Sequence, residues 1–141
     1  MAIVYFDSSA FVKLLVGEDD RAPAVALWDG CDAVVSARLA YPEVCAALAA
    51  AGRDHRLDEH GLRRSRRLWE LFWSDVRVVD LTDAIARHAG GLAPRHALRG
   101  ADSVHLASAL TLRDVDPVVA VWDRRLGAGA AGEGLRVAPA A

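Results

Sequence analysis

The chain has 141 residues, 53% hydrophobic and 26% charged, a globular composition that excludes a disordered or low-complexity protein and fits one domain over residues 1–141. Its net charge of −2 provides no general basic field for nucleic acid, although Lys13 is the only lysine among 17 Lys and Arg residues and arginine grips phosphate bidentately. Cys31 and Cys45 lie too far apart for a CxxC unit, which excludes a cysteine zinc site and reads as two small buried hydrophobes in a reducing compartment.

The N-terminus lacks the basic stretch and long apolar run of a secretory signal, its first apolar run stopping at Asp7. No window is apolar enough to span a bilayer, since Pro42 and Glu43 interrupt residues 39–51. The expectation is a soluble, cytoplasmic protein. Residues 2–6 open the chain as a strand buried on both faces, and Ser8 or Ser9 then caps a helix to about Val16. A second helix is predicted over 20–28 and a second strand over 32–36. Pro42 opens or kinks a helix that continues to Arg53, opening being favoured because Pro is tolerated in a first turn.

Residues 58–73 carry the pattern of an amphipathic helix, mixing Leu62, Trp69, Leu71, Phe72 and Trp73 with charges. A strand over 76–81 follows, then a helix from Thr82 that is expected to break at Gly90, Gly91 and Pro94. Residues 101–113 form a helix apolar around its circumference, 118–122 a fourth strand, and 135–138 a fifth. The glycine-rich 127–134 segment reads as a loop. Strands alternating with helices give an α/β fold with a parallel sheet of about five strands.

In parallel sheets ligands bind beyond the carboxyl ends of the strands. Asp7 follows the first strand directly and Asp123 the fourth, while Asp102 and Glu43 each sit near the start of a helix. Neither Asp102 nor Glu43 has a cation four residues later to account for it as a surface pair. Singly, each of the four is most simply a cap, a first-turn acid or a turn former. Together they could share one crevice. Two carboxylates about 4 Å apart repel by roughly 4 kcal/mol at an effective dielectric of about 20, so such a crevice demands a cation or a proton. Oxygen-only ligands select Mg²⁺ or Mn²⁺ over zinc and equip a site for phosphodiester hydrolysis.

These segments resemble the PIN-domain ribonucleases, in particular the VapC toxins of bacterial toxin–antitoxin pairs. Asp7-Ser8-Ser9-Ala10-Phe11-Val12-Lys13-Leu14 is similar to the family's opening strand-to-helix segment, and Tyr41-Pro42-Glu43-Val44 to its second motif. Leu98 through Ala109, with Asp102 and then His105-Leu106-Ala107, is the most specific match; Trp122-Asp123-Arg124-Arg125-Leu126 resembles the closing motif. Val121 departs from the pattern, standing where the family often has Thr or Ser.

The resemblance implies a PIN-like three-layer fold with strand order 3-2-1-4-5 and an Mg²⁺-dependent (or Mn²⁺-dependent) endoribonuclease acting on structured RNA such as tRNA or rRNA. It further implies a homodimer and a small cognate antitoxin that covers the site. Asp7, Glu43, Asp102 and Asp123 are then the catalytic and metal-binding candidates. Ser9 supports Asp7, and Arg124 and Arg125 are candidates for RNA phosphate contacts. His105 reads as a buried, hydrogen-bonded histidine rather than a ligand, and Arg63, Arg64, Arg66 and Arg67 as a charge-balanced helix face. The crowding of acids also predicts that Asp102→Asn stabilises the metal-free protein. A catalytically silent PIN-like module binding RNA or protein is the alternative. Receiver domains and haloacid-dehalogenase-type phosphatases are disfavoured, because the first strand is followed by Asp7-Ser8-Ser9 rather than by paired acids.

Overall fold

A computed structural model describes residues 1–16, 19 and 21–139. Strand β1 is Ile3–Phe6, followed by helices α1 (Ser8–Val16) and α2 (Arg21–Asp29). Next come β2 (Ala33–Ala37), α3 (Ala40–Arg53), α4 (Glu59–Ser74) and β3 (Arg77–Val79). Helices α5 (Asp83–His96) and α6 (Gly100–Leu110) lead to β4 (Val118–Ala120), and α7 (Arg124–Gly132) to β5 (Arg136–Ala138). The five strands are parallel in the order β3-β2-β1-β4-β5, the order the family resemblance implies.

Parallel neighbours need long crossovers, and the helices that supply them cover both faces of the sheet. The side-chain alternation of β1 shows it: Ile3 and Tyr5 join the core under α5, α6 and α7, whereas Val4 and Phe6 join the core under α1 to α4. The second core contains Phe11, Leu14, Val44, Leu48 and Trp69, all buried. Each such large apolar side chain contributes roughly 1.5–3 kcal/mol by leaving water. Phe72 and Trp73 pack against it half-buried. Cys31 and Cys45 are free and also half-buried, less enclosed than their composition suggests.

The strand order places the functional edge. From β1 the chain winds outward to β2 and β3, then returns to β4 on the other side, so β1 and β4 flank the switch in direction. Tyr5 pairs with Val119 and Phe6 with Ala120, and both strands end within a residue of one another.

Several boundaries differ from the sequence reading. The strand expected over 118–122 ends at Ala120, and that over 76–81 is Arg77–Val79. Asp123 therefore does not leave a strand end but caps α7. The cap of α1 is the Asp7 carboxylate, which accepts the Ala10 N–H, rather than Ser8 or Ser9. The second helix is Arg21–Asp29; Asp20, its expected start, lies outside the described residues. The helix expected over 101–113 is α6, closing at Leu110, with a separate 3₁₀ turn at Arg113–Val115.

Two helices persist where glycine and proline predicted a break. Helix α5 runs through Gly90, Gly91 and Pro94, anchored by buried Ile85, Ala89 and Leu92, and ends at Ala97 in the left-handed region, φ 52°. Residues 127–132, expected as loop, belong to α7. There α7 packs against its neighbours: a Cβ at Gly129 would reach van der Waals contact with His96 and Leu106 at 3.4 Å, and one at Gly127 with Val121 at 3.5 Å. Docking overrides weak intrinsic propensity.

Candidate active site

Asp7 is 3% exposed at the end of β1. Its Oδ1 accepts the Ser9 hydroxyl at 2.6 Å and the Ala10 N–H at 3.0 Å. Ser9 Oγ in turn accepts the Trp122 N–H at 2.9 Å, so one hydroxyl ties the Asp7 carboxylate to the segment leaving β4. Burial pushes the Asp7 carboxyl up from 3.8 to about 6. His105 and the bonds from Ser9 and Ala10 act against that rise, and the negative charge of Asp123 adds to it.

Asp123 caps α7, its Oδ1 accepting the Leu126 N–H at 2.9 Å. Glu43 lies in the first turn of α3, where Pro42 sits without penalty because first-turn N–H groups have no helical partner. Glu43 Oε1 is 2.7 Å from His105 Nε2. His105 is 2% exposed, and its Nδ1 is 2.7 Å from the Tyr5 hydroxyl. Burial, then the Asp7 charge, drive the Tyr5 hydroxyl well above its usual 10.0.

Asp102 occupies the first turn of α6, three residues before His105 and so on the same side of the helix. Arg99 Nε lies 3.5 Å from Asp102 Oδ2, but the Arg99 side chain is 81% exposed and therefore a weak partner. Arg124 and Arg125 open α7 beside Asp123, exposed, with no ion pair or side-chain hydrogen bond among the described residues. Arg63 pairs with Glu59 at 3.3 Å along α4, as a balanced solvated face requires.

The structure thus brings Asp7 within electrostatic reach of Asp123 and of His105, and His105 into contact with Glu43. Asp102 lies one turn before His105 on α6, and its side chain has Arg99 as its ion-pair partner among the described residues. Asp7, Asp123 and Glu43 share one device: each has one carboxylate oxygen held by the protein, and the other takes no hydrogen bond among the described residues.

No group of three or more His, Cys, Asp or Glu side chains among the described residues is arranged as a cage for an ion. The donor chemistry still fits a hard divalent cation, because Mg²⁺ retains much of its water and takes one or two protein carboxylates. Sequence reasoning missed the contacts joining Tyr5, His105 and Glu43. The only signal was the spacing of Asp102 and His105, which identifies a buried histidine but not its partners.

The PIN domain pattern matches residues 4–125. Over 140 residues the chain is 62% identical to "Ribonuclease VapC49" of Mycobacterium tuberculosis, an alignment covering 99% of this chain and 97% of the relative. The chain belongs to the PIN-domain family, among the VapC ribonucleases. PIN-domain architecture recurs in solved structures of low identity. The crystal structure of PAE2754 from Pyrobaculum aerophilum aligns with TM-score 0.67 at 17% identity, covering 96% of this chain and 83% of that one. A toxin–antitoxin complex from Klebsiella pneumoniae aligns with TM-score 0.63 at 19% identity, covering 94% of each chain. At such identities it is the PIN fold that is shared. No helix among the described residues is long and apolar enough to cross a membrane.

Proposed function

We propose that this protein is a VapC-type endoribonuclease toxin that hydrolyses phosphodiester bonds of structured RNA, tRNA or rRNA, with Mg²⁺ or Mn²⁺ as cofactor. Asp7, Glu43, Asp102 and Asp123 would hold the cation, and a cognate antitoxin covering the carboxyl edge of the sheet would restrain it in the cytoplasm. The active form is a homodimer. The observation that carries the reading is the shared device of Asp7, Asp123 and Glu43, each pinned by one oxygen with the other left for a ligand.

A bound divalent ion supplies charge neutralisation among the acids, a lowered pKa for bound water, and stabilisation of charge developing on phosphate. The chain's own groups orient the reaction. Ser9, itself held by the Trp122 N–H, donates its hydroxyl to the Asp7 carboxylate and fixes it against rotation. Arg124 and Arg125 bind nonbridging phosphate oxygens from the start of α7, where the helix dipole also favours an anion. Hydrolysis forms a phosphorus–oxygen bond to water as the bond to the leaving sugar oxygen breaks, so no protein nucleophile is required.

Chelator-treated protein should leave tRNA and rRNA intact, and added Mg²⁺ or Mn²⁺ should restore cutting. Asp7→Asn should abolish that restoration while the fold, followed by circular dichroism, persists. Cleavage that survives both chelator and Asp7→Asn would exclude the reading.

A further inference from the structure

The buried line from Tyr5 to His105 to Glu43 joins β1, α6 and α3 across sequence separations of 100 and 62 residues, with both contacts at 2.7 Å. Its proton arrangement follows from the chemistry of the groups. A carboxylate only accepts, so His105 Nε2 carries a hydrogen and donates it to Glu43 Oε1. When the ring holds that single hydrogen, Nδ1 is an acceptor and the Tyr5 hydroxyl donates to it. Tyr5 is wholly buried and meets the imidazole edge-on, ring centroids 5.9 Å apart, so hydroxyl and ring have little freedom to rearrange.

We propose that Tyr5 and His105 are positioning residues for Glu43: the tyrosine hydroxyl fixes the imidazole through Nδ1, and the Nε2 hydrogen orients the carboxylate so that its other oxygen faces the metal site. The inference rests on the functional reading above and adds to it two residues outside the four acids. Without the tyrosine hydroxyl, Glu43 still draws the hydrogen to Nε2, but Nδ1 loses its buried donor and the ring loses the contact that fixes its tilt toward the carboxylate. Groups that orient a metal ligand typically matter at about 10–100-fold in metal affinity or activity.

The test uses Tyr5→Phe, which keeps the buried ring and removes only the hydroxyl, with His105→Gln and His105→Asn as a second pair. Nitrogen-15 NMR of the metal-free wild type should show His105 as the Nε2–H tautomer with a hydrogen-bonded Nδ1, and Tyr5→Phe should keep the tautomer while the Nδ1 resonance moves as its donor is lost. Mn²⁺ affinity, read by electron paramagnetic resonance, should fall about ten-fold in Tyr5→Phe, and kcat should fall with KM for RNA unchanged. His105→Gln, whose amide nitrogen can replace Nε2, should recover most of that affinity; His105→Asn, whose amide lies nearer Nδ1, should not. An Nδ1–H tautomer in the wild type, or unchanged Mn²⁺ affinity in Tyr5→Phe, overturns the proposal. Failure of the functional reading looks different: wild-type Mn²⁺ binding would be indifferent to Asp7→Asn, while the NMR would still report the tautomer.

Discussion

At Asp7 the site's function and its stability oppose each other. Its folded carboxyl titrates near 6 against 3.8 for the free side chain, so between these values the folded state binds more protons than the unfolded. Stability from this group is fully present below about pH 4 and is lost as pH rises toward 6. At neutral pH the ionised, metal-free group costs up to about 3 kcal/mol. Asp7→Asn should therefore raise the urea midpoint of chelated protein at pH 7.5 and do little at pH 4. An equal gain at both pH values would assign the effect to packing. Asp102, the sequence-based choice for such a gain, is less suited: its side chain is 17% exposed and has Arg99 nearby, whereas Asp7 is enclosed.

Helices and strands show where local pattern is informative and where contact decides. The four acids were legible because each lies at a boundary marked by a change of composition, such as the step from Phe6 to Asp7. The Tyr5–His105–Glu43 line was not, since no short-range rule pairs residues 100 apart. Helix α7 was misread for the same reason: Gly127 and Gly129 look like loop until Val121, His96 and Leu106 pack against them. Helix α5 offers a contrast, because a Cβ on Gly90 or Gly91 meets nothing within 4 Å. Gly91→Ala should thus stabilise the protein by about 0.5–1 kcal/mol, raising Tm by a few degrees. Gly129→Ala should not lower Tm, because its Cβ would meet His96 and Leu106 only at 3.4 Å, an ordinary van der Waals distance. Between elements, Ser9 is the joint from α1 to the end of β4. Ser9→Ala should weaken Mn²⁺ binding about ten-fold by calorimetry, and Ser9→Thr should restore it by replacing the hydroxyl.

For the molecule as a whole, a net charge of −2 means that long-range attraction cannot deliver a polyanion to the site, and local cations must do so. The exposed arginines at the head of α7 stand beside Asp123 with no acidic partner among the described residues, unlike Arg63, Arg87 and Arg38, which are each paired. If Arg124 and Arg125 contact phosphates, each contact releases condensed counterions, and affinity carries a salt slope of about −0.7 per neutralised phosphate on single strands. RNA binding by cleavage-inactive Asp7→Asn, measured by fluorescence anisotropy over a range of salt, isolates this term. Replacing either arginine by Ala in that background should flatten the slope by about 0.7 and weaken binding severalfold at moderate salt. Arg63→Ala should leave the slope unchanged, because Glu59 already balances that charge. Loss of slope in Arg63→Ala, with none in the other two, would move the RNA path from the carboxyl edge of the sheet to the outer face of α4.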